Sequence, residues 1–219
     1  KEIIKKININ QVKFNKKNYN QIFNAEIMHK LTKKNNIMFE GVSINSKTIQ
    51  KKNLFIAIKG KNHDGHFFVK EALKNNASFC VVKKNLKNIN KRKLIVWSKT
   101  IDFLSKLGVK KREHSKAKII AVTGSSGKTT LKNLLGNLLS HYGKTYFSKE
   151  SYNNHFGVPL SLCNLENSHQ YGVFEVGMNK PGEIRNLSSL VKPNIGIITN
   201  IGEAHIENFK NLRSIAKAK

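Results

Sequence analysis

Ile119-Ile120-Ala121-Val122-Thr123-Gly124-Ser125-Ser126-Gly127-Lys128-Thr129-Thr130 decides the fold. Its first four residues are a continuous apolar run, which predicts a strand buried on both faces of a parallel sheet. Two glycines follow, and beyond them Leu131, Leu134, Leu135, Leu138 and Leu139 recur at the spacing of one buried helix face, stopped by Gly143. Strand, glycine loop and helix in that order aim backbone N–H groups and the positive end of a helix dipole at an anion. Lys128 then reaches the β and γ oxygens of a nucleotide and the Thr129 hydroxyl holds Mg²⁺, so Gly124, Ser125, Ser126, Gly127, Lys128, Thr129 and Thr130 read as an ATP-binding loop. The loop is shorter than the common phosphate loop. A chance Gly-Lys-Thr after a glycine turn is the alternative, and the strand and helix on either side speak against it.

Toward the carboxyl end, Tyr146-Phe147, Gly172 to Val176 and Ile195 to Thr199 read as further strands of the same doubly wound, mostly parallel sheet, whose ligands bind at the strands' carboxyl ends. Glu175 lies at that edge. A carboxylate on a buried strand is costly unless it meets a cation or a strong donor, so Glu175 is read as a Mg²⁺ ligand facing the loop, with a structural ion pair as the alternative. His205 follows the next strand at the same edge; it is either functional or an ordinary structural histidine. Asn153 and Asn154 either orient ATP or the water shell of the metal, or cap the next helix.

Toward the amino end, Leu54 to Ile58, Ser78 to Val82 and Leu94 to Trp97 read as strands, and Phe67 to Asn76 and Ile101 to about Glu113 as helices. The last helix runs into a charged hinge, Lys110-Lys111-Arg112-Glu113-His114. The stretch up to about Asn36 is polar, with a weak helical spacing through Ile22, Phe23, Ile27 and Leu31, and shows no chemistry. The fold class is therefore α/β: a small amino-terminal α/β domain over residues 1–98, then a phosphate-loop domain over residues 99–219.

The chain of 219 residues is 39% hydrophobic, enough to bury a core and to exclude disorder as the main reading. No apolar run is long enough to span a membrane, and Lys1 to Ile9 carry charges rather than the apolar core of a signal peptide. Cys80 and Cys163, both inside apolar runs, are too few for a disulfide framework and read as small buried hydrophobes, which fits a reducing cytoplasm. The net charge of +27 has the sign of a nucleic-acid binder. It is almost all lysine, however, scattered in pairs among asparagine and isoleucine, while specific recognition favours the planar fork of arginine. Compositional drift and a selected basic surface are both open.

Thr123 to Thr130 resembles the Thr-Gly-x-x-Gly-Lys-[Thr/Ser]-[Thr/Ser] signature of the Mur ligases, the ATP-dependent amide-bond enzymes of peptidoglycan precursor synthesis. Asn153-Asn154-His155-Phe156-Gly157-Val158-Pro159-Leu160, Glu175-Val176-Gly177-Met178-Asn179-Lys180-Pro181-Gly182-Glu183-Ile184 and Asn200-Ile201-Gly202-Glu203-Ala204-His205-Ile206-Glu207 are similar, in order and context, to segments of the members that add the terminal dipeptide. Gly60-Lys61-Asn62-His63-Asp64-Gly65-His66-Phe67 and Ser43-Ile44-Asn45-Ser46-Lys47 resemble turns of the family's UDP-binding domain. Asn45 and Lys47 depart from that pattern, with a point charge in place of a bidentate guanidinium.

The resemblance implies a ligase that joins D-alanyl-D-alanine to UDP-N-acetylmuramoyl-tripeptide through an acyl phosphate, using ATP and Mg²⁺. It implies Lys128, Glu175 and His205 as catalytic, Ser43, Ser46 and Lys47 as substrate-binding, and Thr129, Glu175, His205 and a carbamylated Lys219 as metal ligands. For Lys219 an ordinary solvated helix lysine is the alternative. It further implies a cytoplasmic monomer without specific nucleic-acid binding, and a carboxyl-terminal domain absent from these residues, so that they bind without turning over. The other expectations are a basic phosphate-loop ATPase or nucleic-acid-binding module without ligase activity, or an inactive ligase remnant.

Overall fold

The computed structural model describes residues 16–34, 37–60 and 62–219; the readings made at Lys1 to Ile9 and at Lys61 lie outside them. Helix α1 (Lys16–Thr32) leads into strands β1 (Val42–Ser43) and β2 (Leu54–Ile56), helix α2 (Val69–Lys74), and strands β3 (Phe79–Val82) and β4 (Leu94–Val96). The four strands pair in sequence order, all parallel. Because successive strand residues point to opposite faces, this small sheet separates two cores. Leu54, Ile56, Val81 and Ile95 meet Ile27 and Met28 of α1 and Phe103, Leu104 and Leu107 of α3 (Thr100–His114). Phe55, Cys80, Val82 and Leu94 meet Val69 and Ala72 of α2.

The second sheet is built from β5 (Lys118–Thr123), α4 (Lys128–Ser140), β6 (Thr145–Phe147), α5 (Gly157–Cys163), β7 (Tyr171–Glu175), α6 (Glu183–Val191) and β8 (Ile195–Ile198), and α7 (Leu212–Ala218) follows. Its strand order is β6-β7-β5-β8, again all parallel. From β5 the chain moves outward to β6 and then turns back through β7 toward β8. Right-handed crossovers therefore set α4 on one face and α5 and α6 on the other. Val158, Leu162, Ile184, Leu187, Val191 and Ile215 of α5, α6 and α7 share a core with Ile119, Ala121 and Phe174, and α4 has no part in it. This is the parallel α/β arrangement predicted from the apolar strands.

The two sheets are bolted together. Gly108 of α3 packs against α5 so closely that a Cβ would lie 2.9 Å from the Pro159 carbonyl oxygen. The Asn164 side chain, just past α5, accepts from the Val42 N–H (2.9 Å) and donates to the Val42 carbonyl (3.0 Å), standing in for a neighbouring strand at the edge of β1.

Three sequence expectations are corrected. The leucines of α4 do not form a buried face: Leu134 and Leu138 are 63% and 54% exposed. Lys132 and Gly136 turn inward instead. Gly136 sets this rotation, because it lets the helix settle onto Phe147, whose Cγ would lie 2.4 Å from a Cβ at that position. Strand β8, read as covered on both faces, stands at the edge of the sheet among the described residues, with Ile195 and Ile198 exposed. Lys110 to His114 are no hinge but the last turns of α3. Lys111 is only 1% exposed and donates to Asn24 Oδ1 at 2.7 Å, while Arg112 Nε and Nη2 each donate at 2.7 Å, to the Val191 and Lys192 carbonyls at the end of α6. Cys80 and Cys163 are buried free thiols, and burial pushes the Cys80 thiol up to about 12. Among the described residues no helix is long and apolar enough to cross a membrane.

Candidate nucleotide and metal site

The loop leaves β5 at Gly124, whose φ of 145° and contact with β8 exclude a side chain: a Cβ would lie 1.8 Å from Thr199 Oγ1. Gly127, at φ 74°, has nothing within 4 Å of its missing Cβ and so leaves the mouth of the loop open. Helix α4 starts at Lys128 without a side-chain cap, which leaves the N–H groups of its first turn for an outside acceptor. Lys128 Nζ folds back onto the loop, donating to the carbonyls of Gly124 (2.9 Å) and Ser125 (3.3 Å). Ser126 and Thr130 are exposed and Ser125 is half-buried.

Glu175 ends β7, in register with Val122 of β5, and is 1% exposed. Oε2 accepts from the Thr129 hydroxyl at 2.7 Å and Oε1 from Asn153 Nδ2 at 2.7 Å. Strand pairing thus brings the carboxylate to the first turn of α4. Asn153 approaches because Gly177 has no side chain; a Cβ there would lie 2.8 Å from Asn153 Cγ. Asn154 is used differently. Its Oδ1 accepts from the N–H groups of Phe156 and Gly157, both at 3.0 Å, and so closes the turn that leads into α5.

His205 has a left-handed backbone (φ 62°) before a short turn of 3₁₀ helix. Its ring is 47% exposed, with Nδ1 3.9 Å from Glu207 Oε1. Lys219, after α7, lines a cavity of about 180 Å³ with Ala121, Thr123, Val176, Ile184 and Ile197. Burial, and then the nearby charge of Lys128, lower its pKa. Among the described residues no three His, Cys, Asp or Glu side chains converge on one metal position. The oxygen ligands that do meet are a hydroxyl and a carboxylate, Thr129 and Glu175, a pair suited to a hard cation.

Residues 38–129 match the Mur ligase family, catalytic domain, and residues 122–219 match the Mur ligase middle domain, so the two matches together run from residue 38 to residue 219. The chain belongs to the Mur ligase family. The UDP-N-acetylmuramoyl-tripeptide--D-alanyl-D-alanine ligase of Rickettsia prowazekii is 41% identical over 185 residues, which cover 84% of this chain and 41% of that protein. The Escherichia coli ligase of the same name is 34% identical over 183 residues, 84% of this chain and 40% of the relative. Among solved structures, MurF from Acinetobacter baumannii has a TM-score of 0.76 at 33% identity, covering 89% of this chain and 44% of that one. MurF ligase from Thermotoga maritima, in complex with ADP, has a TM-score of 0.68 at 32% identity, covering 81% of this chain and 41% of that one. The chain spans about two-fifths of the length of the named ligases it matches.

In this Mur ligase chain the Ser43–Lys47 segment stands apart from the phosphate loop, on the first sheet. Ser43 Oγ donates to the Asn45 carbonyl (3.0 Å), and Asn45 Oδ1 accepts from the Lys47 N–H (2.9 Å), so the two fix a turn. Ser46 is buried and donates to Glu71 Oε2 of α2 at 2.6 Å, whereas Lys47 is exposed. In the related turn, His66 meets Asp64 Oδ1 through Nδ1 (2.6 Å) and accepts the Lys83 N–H on Nε2 (2.9 Å), which pins the turn to the end of β3.

At the candidate site Lys132 was not singled out by the sequence reading, and Asn200 was given no role. Lys132 is fully buried, and its ammonium donates to the Glu150 carbonyl at 2.6 Å. Burial lowers its pKa, opposed by the charges of Glu175 and Glu150. Its spacing from Lys128 puts both on one helix face, and that signal was available in the sequence. Asn200 opens the segment that resembles the family, but its hydrogen bonds to the phosphate loop have no local signal, because the partners lie on a distant loop.

Proposed function

We propose that this chain carries the nucleotide-sugar-binding and ATP-binding portions of a ligase that joins D-alanyl-D-alanine to UDP-N-acetylmuramoyl-tripeptide, dividing near Ser98 into residues 1–98 and 99–219. The observation that carries the reading is the contact between Thr129 and the buried Glu175 at the mouth of an open phosphate loop. The names of the relatives supply the substrates, and the ADP of the Thermotoga maritima neighbour supplies the nucleotide.

In this reading ATP transfers its γ-phosphoryl group to the terminal carboxylate of the tripeptide, the amine of D-alanyl-D-alanine attacks the acyl phosphate, and ADP and phosphate leave. The first-turn amides of α4 and Lys128 bind and orient the phosphates, and Lys128 turns from the loop carbonyls toward the anion. Thr129 and Glu175 would hold Mg²⁺, and Asn153 keeps the Glu175 carboxylate aimed at it. When bound, Mg²⁺ supplies charge neutralisation on the phosphate oxygens. His205 and Lys219 would hold a second ion once Lys219 is a carbamate. The lowered pKa of Lys219 favours the neutral amine that adds to CO₂ with loss of one proton. Lys47, exposed beside Ser43 and Ser46, would meet the UDP phosphates. The protein acts in the cytoplasm as a monomer.

The test is phosphate release by the full product of the gene with ATP and UDP-N-acetylmuramoyl-tripeptide. D-alanyl-D-alanine should support turnover, while diaminopimelate or lysine as the amine should not. Equal rates with the single amino acids would overturn the assignment of the substrate.

A further inference from the structure

The phosphate loop is flanked by two glycines at positive φ and carries two small serines, so nothing in its own sequence makes it rigid. Its shape is set from outside, by the segment that follows β8. Asn200 Oδ1 accepts from the N–H groups of both Ser125 (3.1 Å) and Ser126 (3.0 Å), and Asn200 Nδ2 donates to Ser126 Oγ (2.7 Å). The residues on either side add to this. Thr199 Oγ1 donates to the Ser126 carbonyl (2.6 Å), the Gly202 N–H donates to Ser125 Oγ (2.8 Å), and Ser125 Oγ donates to the Gly202 carbonyl (2.9 Å). We infer that Asn200 is a positioning residue that holds the phosphate loop in its anion-binding shape and ties it to the segment leading to His205.

The chemistry of the side chain fits this task. An acceptor is needed for two amides and a donor for one hydroxyl, in one plane, and a carboxamide supplies both. A carboxylate would lack the donor and set a negative charge behind the phosphates. With the Ser125 and Ser126 amides turned to Asn200, the amides of the first turn of α4 are left as the donors that face the ligand. The loop is then preorganised, and binding does not pay to order it.

The inference rests on the loop being a nucleotide site, and the test separates the two. The 219-residue chain is titrated with Mg²⁺ and ADP in a calorimeter, and backbone amide exchange is followed at Ser125 and Ser126 with and without ADP. Wild type should bind ADP and protect both amides equally in either state. Asn200→Ala should lose protection at Ser126, while the Ser125 N–H keeps the backbone carbonyl of residue 200 as an acceptor (3.1 Å), and should bind ADP about ten- to a hundredfold more weakly, the loss expected for two or three hydrogen bonds. Affinity within twofold of wild type would overturn the inference. So would loss of wild-type protection on adding ADP, because Asn200 would then be a plug that the phosphate displaces. If Asn200→Ala does not fold, Ser126→Ala decides: it removes only the partner of Nδ2 and should weaken ADP about threefold, and no change overturns the proposal. Failure of wild type to bind ADP overturns the nucleotide reading and this inference with it.

Discussion

Thr129 Oγ1 and Glu175 Oε2, 46 positions apart in the chain, meet at 2.7 Å. The hydroxyl donates a hydrogen bond to the carboxylate, so without a cation each satisfies the other and neither is left without a partner. A divalent ion between them would take oxygen lone pairs from both. Glu175→Gln keeps the volume and removes the charge. In wild type Mg²⁺ should strengthen ADP binding about tenfold or more, and in Glu175→Gln or Thr129→Val by less than about threefold, given a loss of one to two charge-assisted contacts. Calorimetry with and without EDTA checks this, and an undiminished Mg²⁺ effect in both variants would remove the pair from the metal site.

Among the described residues the Lys128 ammonium makes its hydrogen bonds to the Gly124 and Ser125 carbonyls alone. Lys128→Ala should therefore leave the fold nearly untouched, with a thermal midpoint within about 2 °C of wild type. ADP affinity should fall about thirtyfold, the scale of one or two hydrogen bonds from a charged donor to phosphate. A large drop in the midpoint would mean that Lys128 braces the loop rather than binding through it.

Gly124 tests the backbone. Gly124→Ala combines an unfavourable φ with a Cβ driven onto Thr199 Oγ1, so β5 and β8 must part at the loop. Destabilisation by about 3 kcal/mol or more in urea unfolding is expected, together with loss of ADP binding. Gly127→Ala, with open space around it, should cost about 1–2 kcal/mol from its φ alone.

Lys111 gives a pH signature. Burial lowers its pKa from 10.5 to about 8, so the folded state gives up that proton more readily than the unfolded chain. Unfolding then takes up a proton between these values, and stability rises as pH goes from about 8 to about 10.5, by on the order of 3 kcal/mol. Lys111→Met lacks this titration. The difference in urea-unfolding free energy, wild type minus variant, should shift toward wild type by that order between pH 7.5 and pH 10.5. A difference independent of pH would contradict the buried ammonium.

The fold was legible where the sequence has period and punctuation. The run from Ile119 to Val122, the glycines at 124 and 127 and the strand ending at Glu175 follow from local rules and stand in the structure as a parallel sheet with its loop. The face of α4 was not legible, because five leucines at helical spacing mask a glycine whose meaning depends on Phe147, a residue on another element. Lys111 and Arg112 read as part of a charged hinge because a run of basic residues looks the same whether it is solvated or turned to Asn24 and the end of α6. At the site, Asn153 and Asn154 are alike in sequence, and only the tertiary fold sends one to Glu175 and the other to the turn before α5. The contacts of Asn200 with the loop were out of reach for the same reason, since its partners lie more than seventy residues away.

The central claim is that a specific nucleotide site, and not the +27 charge, draws anions to this chain. The most direct measurement is calorimetric titration with ADP in the presence of Mg²⁺, at two salt concentrations, against an equal charge of a polyanion such as heparin. One-to-one saturation by ADP that persists at 0.3 M salt (about twice physiological) while polyanion binding collapses is the predicted result. ADP binding that is absent, or that fades with salt in step with the polyanion, would contradict it.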